Sequence, residues 1–106
     1  MVYKIVKTTT DSKSTYEKIS KEIIAKGFSP CVQIANIDGC ESKYLWKGKV
    51  ETEKEFVLEI KTTSRFLKNV IHVIKKYHNY DIPEIISYDF EILSEKYEKW
   101  FHENLE

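Results

Sequence analysis

Short β-branched apolar runs alternate along the chain with segments in which apolar residues recur every three or four positions. The first run, residues 2–9, predicts a strand that is buried on at least one face. After it, Asp11 or Ser12 offers a helix N-cap and Gly27 a helix end. Apolar residues fall at helical spacing between these signals: Tyr16, Ile19, Ile23, Ile24 and Phe28. The pattern predicts a strand followed by an amphipathic helix.

Extended runs dominate the middle of the chain. Pro30 opens an apolar run over residues 31–37, and the Asp38-Gly39 pair that follows is typical of a turn. Residues 44–50 and 56–60 then predict two long strands, joined by a turn in the charged residues 51–54. These features predict a hairpin in the middle of the chain.

The helical period returns after residue 63, where Ser64 can cap a second helix. Its apolar positions are Phe66, Leu67, Val70, Ile71, Ile74 and Tyr77. A last strand is predicted over residues 84–92. A short final helix is marked by Tyr97, Trp100, Phe101 and Leu105, and we expect it to clamp onto a neighbouring subunit.

The predicted order is strand-helix-strand-strand-helix-strand with a terminal helix, which matches the ferredoxin-like arrangement. We therefore predict an α+β fold, βαββαβ, with an antiparallel sheet and a single domain over residues 1–106. Helices would cover one sheet face only, and the other face would leave tyrosine, tryptophan and isoleucine side chains in water. This uncovered face predicts self-association.

Composition and charge narrow the classes of partner. The 17 basic and 17 acidic residues cancel, so no net field attracts nucleic acid or an anionic membrane. No stretch approaches ~20 apolar residues and the beginning of the chain lacks a signal-peptide pattern, which indicates a soluble, cytoplasmic protein. Cys31 and Cys40 are too far apart for a CxxC motif and are expected to be free thiols.

An imidazole, a phenol and two carboxylates cluster around a proline between the second helix and the last strand. This segment, residues 78–86, contains His78, Tyr80, Asp81, Pro83 and Glu84. Loops at such junctions often carry binding groups, because rigid elements hold them at the surface. A simpler interpretation stands beside this one: Tyr80 and Pro83 shape a turn, and His78 is a cation at a helix C-terminus.

Five motifs together resemble the CutA family, the divalent-cation tolerance proteins. They are Cys-Val-Gln-Ile at 31–34, Tyr-Leu-Trp-Lys-Gly-Lys at 44–49, Glu55 with Ile-Lys-Thr at 60–62, the segment 78–86, and Tyr97 with Trp100. The resemblance implies a ferredoxin-like subunit in a tight homotrimer similar in architecture to the PII signalling proteins. It also implies that long hairpin strands wrap around neighbouring subunits. Shared architecture does not by itself carry function.

The chain departs from the family at the copper site described for bacterial relatives. A cysteine and two adjacent histidines of that site correspond here to Lys7, Tyr77 and His78, so only His78 carries over. A protonated lysine cannot replace a thiolate ligand. Asn79 stands where a proline is common, which predicts a looser backbone at the junction.

Two binding hypotheses follow. In the first, His78 and Glu84, with Asp81 or a cysteine, hold Cu2+ or another divalent ion in a cleft between subunits. In the second, the protein is a PII-like signalling trimer with an intersubunit pocket for a small anionic ligand. The pocket would be lined by Tyr44, Trp46, Lys61, His78, Tyr80 and Glu84.

Simpler structural roles compete with the pocket. Tyr44 and Trp46 would fill a subunit interface, and Lys61 would pair with a carboxylate such as Glu55. Catalysis is not expected, because no activated serine or threonine, phosphate-binding glycine loop or metal motif accompanies the histidine. No organic cofactor is expected either.

Overall fold

A computed structural model describes residues 2–106, apart from the side chains of Asn36 and Ile37. The elements are β1 (Tyr3–Thr10), α1 (Lys13–Ala25), β2 (Cys31–Trp46), β3 (Lys49–Thr63), α2 (Leu67–Tyr77), β4 (Ile86–Phe90) and α3 (Glu95–Glu103). The four strands form one antiparallel sheet in the order β2-β3-β1-β4, which confirms the ferredoxin-like prediction. Strand β4 is shorter than the predicted 84–92. No helix in the described part is long and apolar enough to cross a membrane.

Strands β2 and β3 form a hairpin whose turn is not where the sequence predicted it. The turn is at Lys47-Gly48, where both residues have positive φ (51° and 79°) and connect the paired residues Trp46 and Lys49. Two positive φ angles give the twist that a two-residue hairpin needs. The predicted turn at 51–54 is therefore wrong, and those charged residues continue β3.

The predicted turn at Asp38-Gly39 is also wrong. Strand β2 runs through this pair without reversing, and a register shift between Ala35 and Cys40 absorbs the extra residues. Gly39 has φ 124°, which fits an irregularity of this kind. The consequence is one 16-residue strand that projects well beyond the rest of the sheet. We call the projecting hairpin, residues 40–55, the arm; it contributes to a molecule 46 Å long and 24–26 Å across.

Helix α1 begins and ends where the sequence predicted. The Ser12 hydroxyl accepts a hydrogen bond from the Thr15 amide at 3.2 Å. At the other end Gly27 has φ 71°, and the Phe28 amide donates to the Ile23 carbonyl at 3.1 Å, as in a Schellman motif. A side chain at Gly27 would also meet the Glu106 backbone, since its Cβ would lie 2.8 Å from that nitrogen.

Helix α2 begins without the predicted cap. The strand before it extends to Thr63, and the Phe66 amide bonds to the Thr63 carbonyl at 3.1 Å. Ser64 instead lies near the Val2 amide, 3.4 Å away, and no side chain caps the helix. The prediction of a Ser64 cap is wrong because the chain turns sharply out of the sheet before the helix starts.

The hydrophobic core lies between one sheet face and helices α1 and α2. Alternate residues of the central strands point into it, and both helices supply their apolar stripes. Its fully or almost fully buried members are Val6, Ile19, Ile23, Leu58, Ile60, Val70, Val73 and Ile74. Val73 was not among the predicted apolar positions of α2. The other sheet face is free of α1 and α2, and we call it the open face.

Helix α3 folds back onto one end of the open face. Phe101 is fully buried, with its ring 5.6 Å from the Tyr3 ring and 6.4 Å from the Phe90 ring. The Tyr3 hydroxyl donates to Glu98 at 2.5 Å and contacts His102 Nε2 at 2.7 Å. For Phe101 the prediction of a clamp on a neighbouring subunit is wrong, because its own chain supplies the aromatic surface.

Glu22 connects the two core helices. Its carboxylate accepts from the Tyr77 hydroxyl at 2.6 Å, Lys76 at 2.9 Å and Lys26 at 3.2 Å. The hydrogen bond from Tyr77, followed by that from Lys76, lowers the pKa of Glu22 to about 2. An unfolded glutamate has a pKa of about 4.3, so this contribution to stability is complete above that pH and is lost as the pH falls toward 2.

We expect Glu22→Gln to unfold at lower temperature than the unmodified protein at pH 7. The difference should shrink as the pH falls from about 4.3 to about 2, because the native carboxylate is then protonated. Thermal unfolding followed by circular dichroism over this pH range measures it. Glu17→Gln is the matched control, since Glu17 lies on the same helix and forms no ion pair within residues 2–106. A constant difference across the range would contradict the assignment.

Candidate functional site

The junction between α2 and β4, residues 78–85, lies beside the end of β1. Helix α2 ends at Tyr77, and His78 turns the chain into an extended conformation (φ −62°, ψ 136°). Four side-chain contacts then attach the junction to β1, to β3 and to the loop after β1. The predicted cluster is therefore a fixed feature of the fold.

The imidazole of His78 uses both of its nitrogens. Nε2 donates to the Thr9 carbonyl at 2.8 Å, and Nδ1 accepts from the Tyr80 amide at 3.0 Å. This pair of contacts requires the neutral tautomer with the proton on Nε2. Burial lowers the pKa of His78, although the Thr9 carbonyl and the charges of Glu55 and Asp11 oppose the shift. The predicted role of His78 as a helix C-terminal cation is therefore wrong for neutral pH.

Tyr80 reaches across to β3. Its hydroxyl donates to the Glu55 carboxylate at 2.7 Å, and Glu55 is only 7% exposed. Burial, together with the hydrogen bond and the negative charge of Glu55, raises the pKa of Tyr80. Glu55 therefore has Tyr80 as its partner. The alternative pairing of Lys61 with Glu55 is wrong, since six residues of strand, ~20 Å, separate them.

Asn79 ties the junction to the end of β1. Its side-chain oxygen accepts from the Thr10 hydroxyl at 2.6 Å, and its amide donates to Asp11 at 2.7 Å. Two side-chain hydrogen bonds therefore hold Asn79 at a position where a proline is common, and the looser backbone stays a prediction. No sequence pattern predicts either of these hydrogen bonds.

In a single chain, the proposed carboxylate ligands are accessible to a metal ion, but the proposed histidine ligand is already hydrogen-bonded. Asp81 and Glu84 are exposed, while His78 Nδ1 is occupied by the Tyr80 amide. Within residues 2–106, no group of three or more histidine, cysteine, aspartate or glutamate side chains could hold a metal ion. The other positions of the bacterial site also differ in environment: Tyr77 bonds to Glu22, and Lys7 lies opposite Glu59. A complete site at His78 and Glu84 would need ligands from another subunit.

One subunit does not assemble the predicted pocket. Tyr44 and Trp46 lie on the arm opposite Glu51 and Lys49, whereas Lys61 lies opposite Cys31 at the far end of β3. Tyr44 lies opposite Glu51, and ten residues of β3, about 33 Å, separate Glu51 from Lys61. His78 and Tyr80 lie between them, beside Glu55. A pocket formed by all six residues would require more than one subunit, and it stays a prediction.

The two cysteines are free thiols, as predicted, and both are half-buried. Cys31 is the cross-strand neighbour of Lys61, and Cys40 is the neighbour of Glu55 at the end of the register shift. They lie nine residues apart along β2. Neither is therefore positioned to share a ligand with the other.

A family model described as CutA1 divalent ion tolerance protein matches residues 4–104. The protein CutA 1, chloroplastic, of Oryza sativa subsp. japonica is 34% identical over 96 residues, which are 91% of this chain and 53% of that protein. The chain spans about half the length of that relative and of a similar one from Arabidopsis thaliana. The divalent-cation tolerance protein CutA of Pyrococcus horikoshii is 33% identical over 99 residues, covering 93% of this chain and 94% of that protein.

Solved structures agree with these relatives. CutA1 from Oryza sativa superposes with a TM-score of 0.90 at 31% identity, covering 100% of this chain and 95% of that chain. The Cut A1 protein of Thermus thermophilus gives 0.88 at 28% identity, covering 98% and 99%. The family match extends over nearly the whole chain, and the fold agrees along the same length. The chain belongs to the CutA1 divalent ion tolerance family.

Proposed function

We propose that the chain is the subunit of a homotrimer that acts in the response to divalent cations by binding them, without catalysis. The relatives from Pyrococcus horikoshii and Thermus thermophilus are named divalent-cation tolerance proteins, and the family model is described in similar words, which supports the cation response. Copper is the first ion to test, because nitrogen ligands bind it more tightly than the other divalent metals of the first transition row.

The arm supports assembly into a trimer. A two-stranded ribbon that projects from a domain is marginally stable by itself in water. The arm nevertheless carries four large apolar side chains that are 41–73% exposed: Tyr44, Leu45, Trp46 and Val50. Tyr44 and Trp46 lie on one side of the ribbon, and Leu45 and Val50 lie on the other. Exposed apolar side chains on both sides of a projecting ribbon indicate an interaction surface. Packing the arm on another subunit would remove this surface from water.

The observation that carries the cation proposal is the neutral imidazole of His78 beside exposed carboxylates. Metal ions bind the neutral form of histidine, and the half-buried position keeps His78 in that form. Asp81 and Glu84 follow it on the same junction and are open to solvent. A bound ion would take Nδ1 in place of the Tyr80 amide, with Glu84 as a second ligand and further ligands from a neighbouring subunit.

Calorimetric titration of chelator-stripped protein with Cu2+ and with Zn2+ tests this proposal. Both cysteines are first replaced by serine, so that thiol oxidation by copper adds no heat. We expect saturable binding near one ion per subunit, and His78→Ala should weaken it by at least about a hundredfold, since loss of an outer-shell partner alone costs about 10–100-fold. His72→Ala is the matched control, since His72 is exposed on α2 away from the junction.

Equal binding by the His78 and His72 variants would contradict the assigned site. No saturable binding of either ion by the cysteine-free assembly with His78 intact would contradict the cation proposal itself.

A further inference from the structure

Two carboxylates of the arm lie on one side of strand β3. Glu51 and Glu53 point to the side of Tyr44 and Trp46, which Lys49, opposite Trp46, also shares. Neither glutamate forms an ion pair within residues 2–106. Partial burial, followed by the charges of Glu53 and Glu51, raises the pKa of the Tyr44 phenol. We call this side, defined by Tyr44, Trp46, Glu51 and Glu53, the acidic arm face.

The open face of the sheet carries two lysines that likewise form no ion pair among the described residues. Lys7 and Lys61 are half-buried, and among the described residues neither takes part in an ion pair or a side-chain hydrogen bond. Lys7 lies opposite Glu59, whose carboxylate accepts from the Tyr88 hydroxyl at 3.1 Å and forms no ion pair with either lysine among the described residues. Half-buried charged groups are favoured by closely paired counter-charges. We call these two lysines the lysine pair.

The acidic arm face cannot reach the lysine pair of its own chain. Six residues of β3, about 20 Å, separate Glu53 from Glu59, the residue opposite Lys7, and eight residues, about 27 Å, separate it from Lys61. Lysine and glutamate side chains together span only a fraction of that distance. The two surfaces can meet only between two copies of the chain.

The spacing of the two surfaces matches. Residues two apart on a strand, such as Glu51 and Glu53, are about 7 Å apart on one side. Lys7 pairs with Glu59, two residues from Lys61, so the lysine pair is a diagonal cross-strand pair about 7–8 Å apart. We propose that Glu51 and Glu53 of one copy bind Lys61 and Lys7 of a second copy. This inference rests on the proposed homotrimer and names the contact that holds it.

The apolar neighbours of both surfaces strengthen such a contact. Tyr44 and Trp46 lie beside the carboxylates, and Ile86 and Tyr88 lie on the open face beside the lysines; all four are 41–49% exposed in the single chain. Packing these side chains together would exclude water around the charges. Ion pairs are stronger where water is excluded than on an open surface.

Charge reversal and its reciprocal rescue test the contact. We expect Lys7→Glu/Lys61→Glu and, separately, Glu51→Lys/Glu53→Lys to lower the mass measured by light scattering to that of one subunit. A chain that carries all four reversals should assemble again, because every contact is restored with its charges exchanged. Lys18→Glu/Lys21→Glu, on the exposed face of α1, should leave the mass unchanged. Circular dichroism verifies the folding of each variant.

A milder variant keeps the test independent of core folding. Glu51→Gln/Glu53→Gln changes only the exposed ribbon, and it should raise the dissociation constant of the assembly by at least about tenfold. An unmodified protein that assembles while the reversals and this variant change nothing would overturn the contact and leave the trimer standing. An unmodified protein with the mass of one subunit would overturn the trimer as well.

Discussion

Replacing Phe101 by alanine is expected to lower the free energy of unfolding by about 3–5 kcal/mol. Phe101 is fully buried, and its ring packs near those of Tyr3, Phe90 and Tyr97. Truncation leaves a cavity under α3 and removes the contact that holds this helix on the open face. The effect would also show that α3 is part of the subunit's own core.

Urea unfolding followed by far-UV circular dichroism measures this loss, at one fixed protein concentration because assembly and unfolding are linked. Leu93→Ala is the matched control: Leu93 precedes the same helix and is 88% exposed. We expect a change within about 0.5 kcal/mol for the control. Similar midpoints for the two variants would contradict the packing of α3 on its own chain.

Removing the end of the arm is expected to produce a folded single subunit. Glu41 and Lys54 are paired across the hairpin, so residues 42–53 can be deleted and an Asn-Gly pair inserted between these two. The core should survive, because the strand residues that contact the helices lie outside the deleted segment. Assembly should be lost completely, because Tyr44, Trp46, Glu51 and Glu53 are removed together.

Light scattering and circular dichroism of the shortened chain measure these two outcomes separately. A shortened chain that still has the mass of the unmodified assembly would show that the arm is not the assembly element. An unfolded shortened chain would show that the arm belongs to the folding unit, contrary to a core that lies wholly outside residues 42–53.

The sequence predicted the elements that depend on local periodicity. Ile19 and Ile23 repeat at helical spacing and are fully buried, and the signals at Ser12 and Gly27 are the observed ends of α1. The hairpin was misplaced because charged residues 51–54 look like a loop although they continue an exposed ribbon. Asp38-Gly39 carries a strong local turn signal, and only the pairing of β2 with β3 converts it into an irregularity.

The candidate site was predicted as a segment but not as a set of contacts. His78 and Tyr80 were recognised from their chemistry within one short motif. Their partners Thr9 and Glu55 are 69 and 25 residues away, respectively, and no spacing rule connects them. The pocket hypothesis placed Trp46 and Lys61 together, whereas the strand register puts Trp46 opposite Lys49, the first residue of β3, and Lys61 near the other end of that strand.

The mass of the unmodified protein in solution tests the proposed assembly most directly. Light scattering over micromolar concentrations should give three times the 12.6 kDa of one chain. A mass of 12.6 kDa across that range would contradict the assembly, because the arm and the lysine pair would then remain without partners.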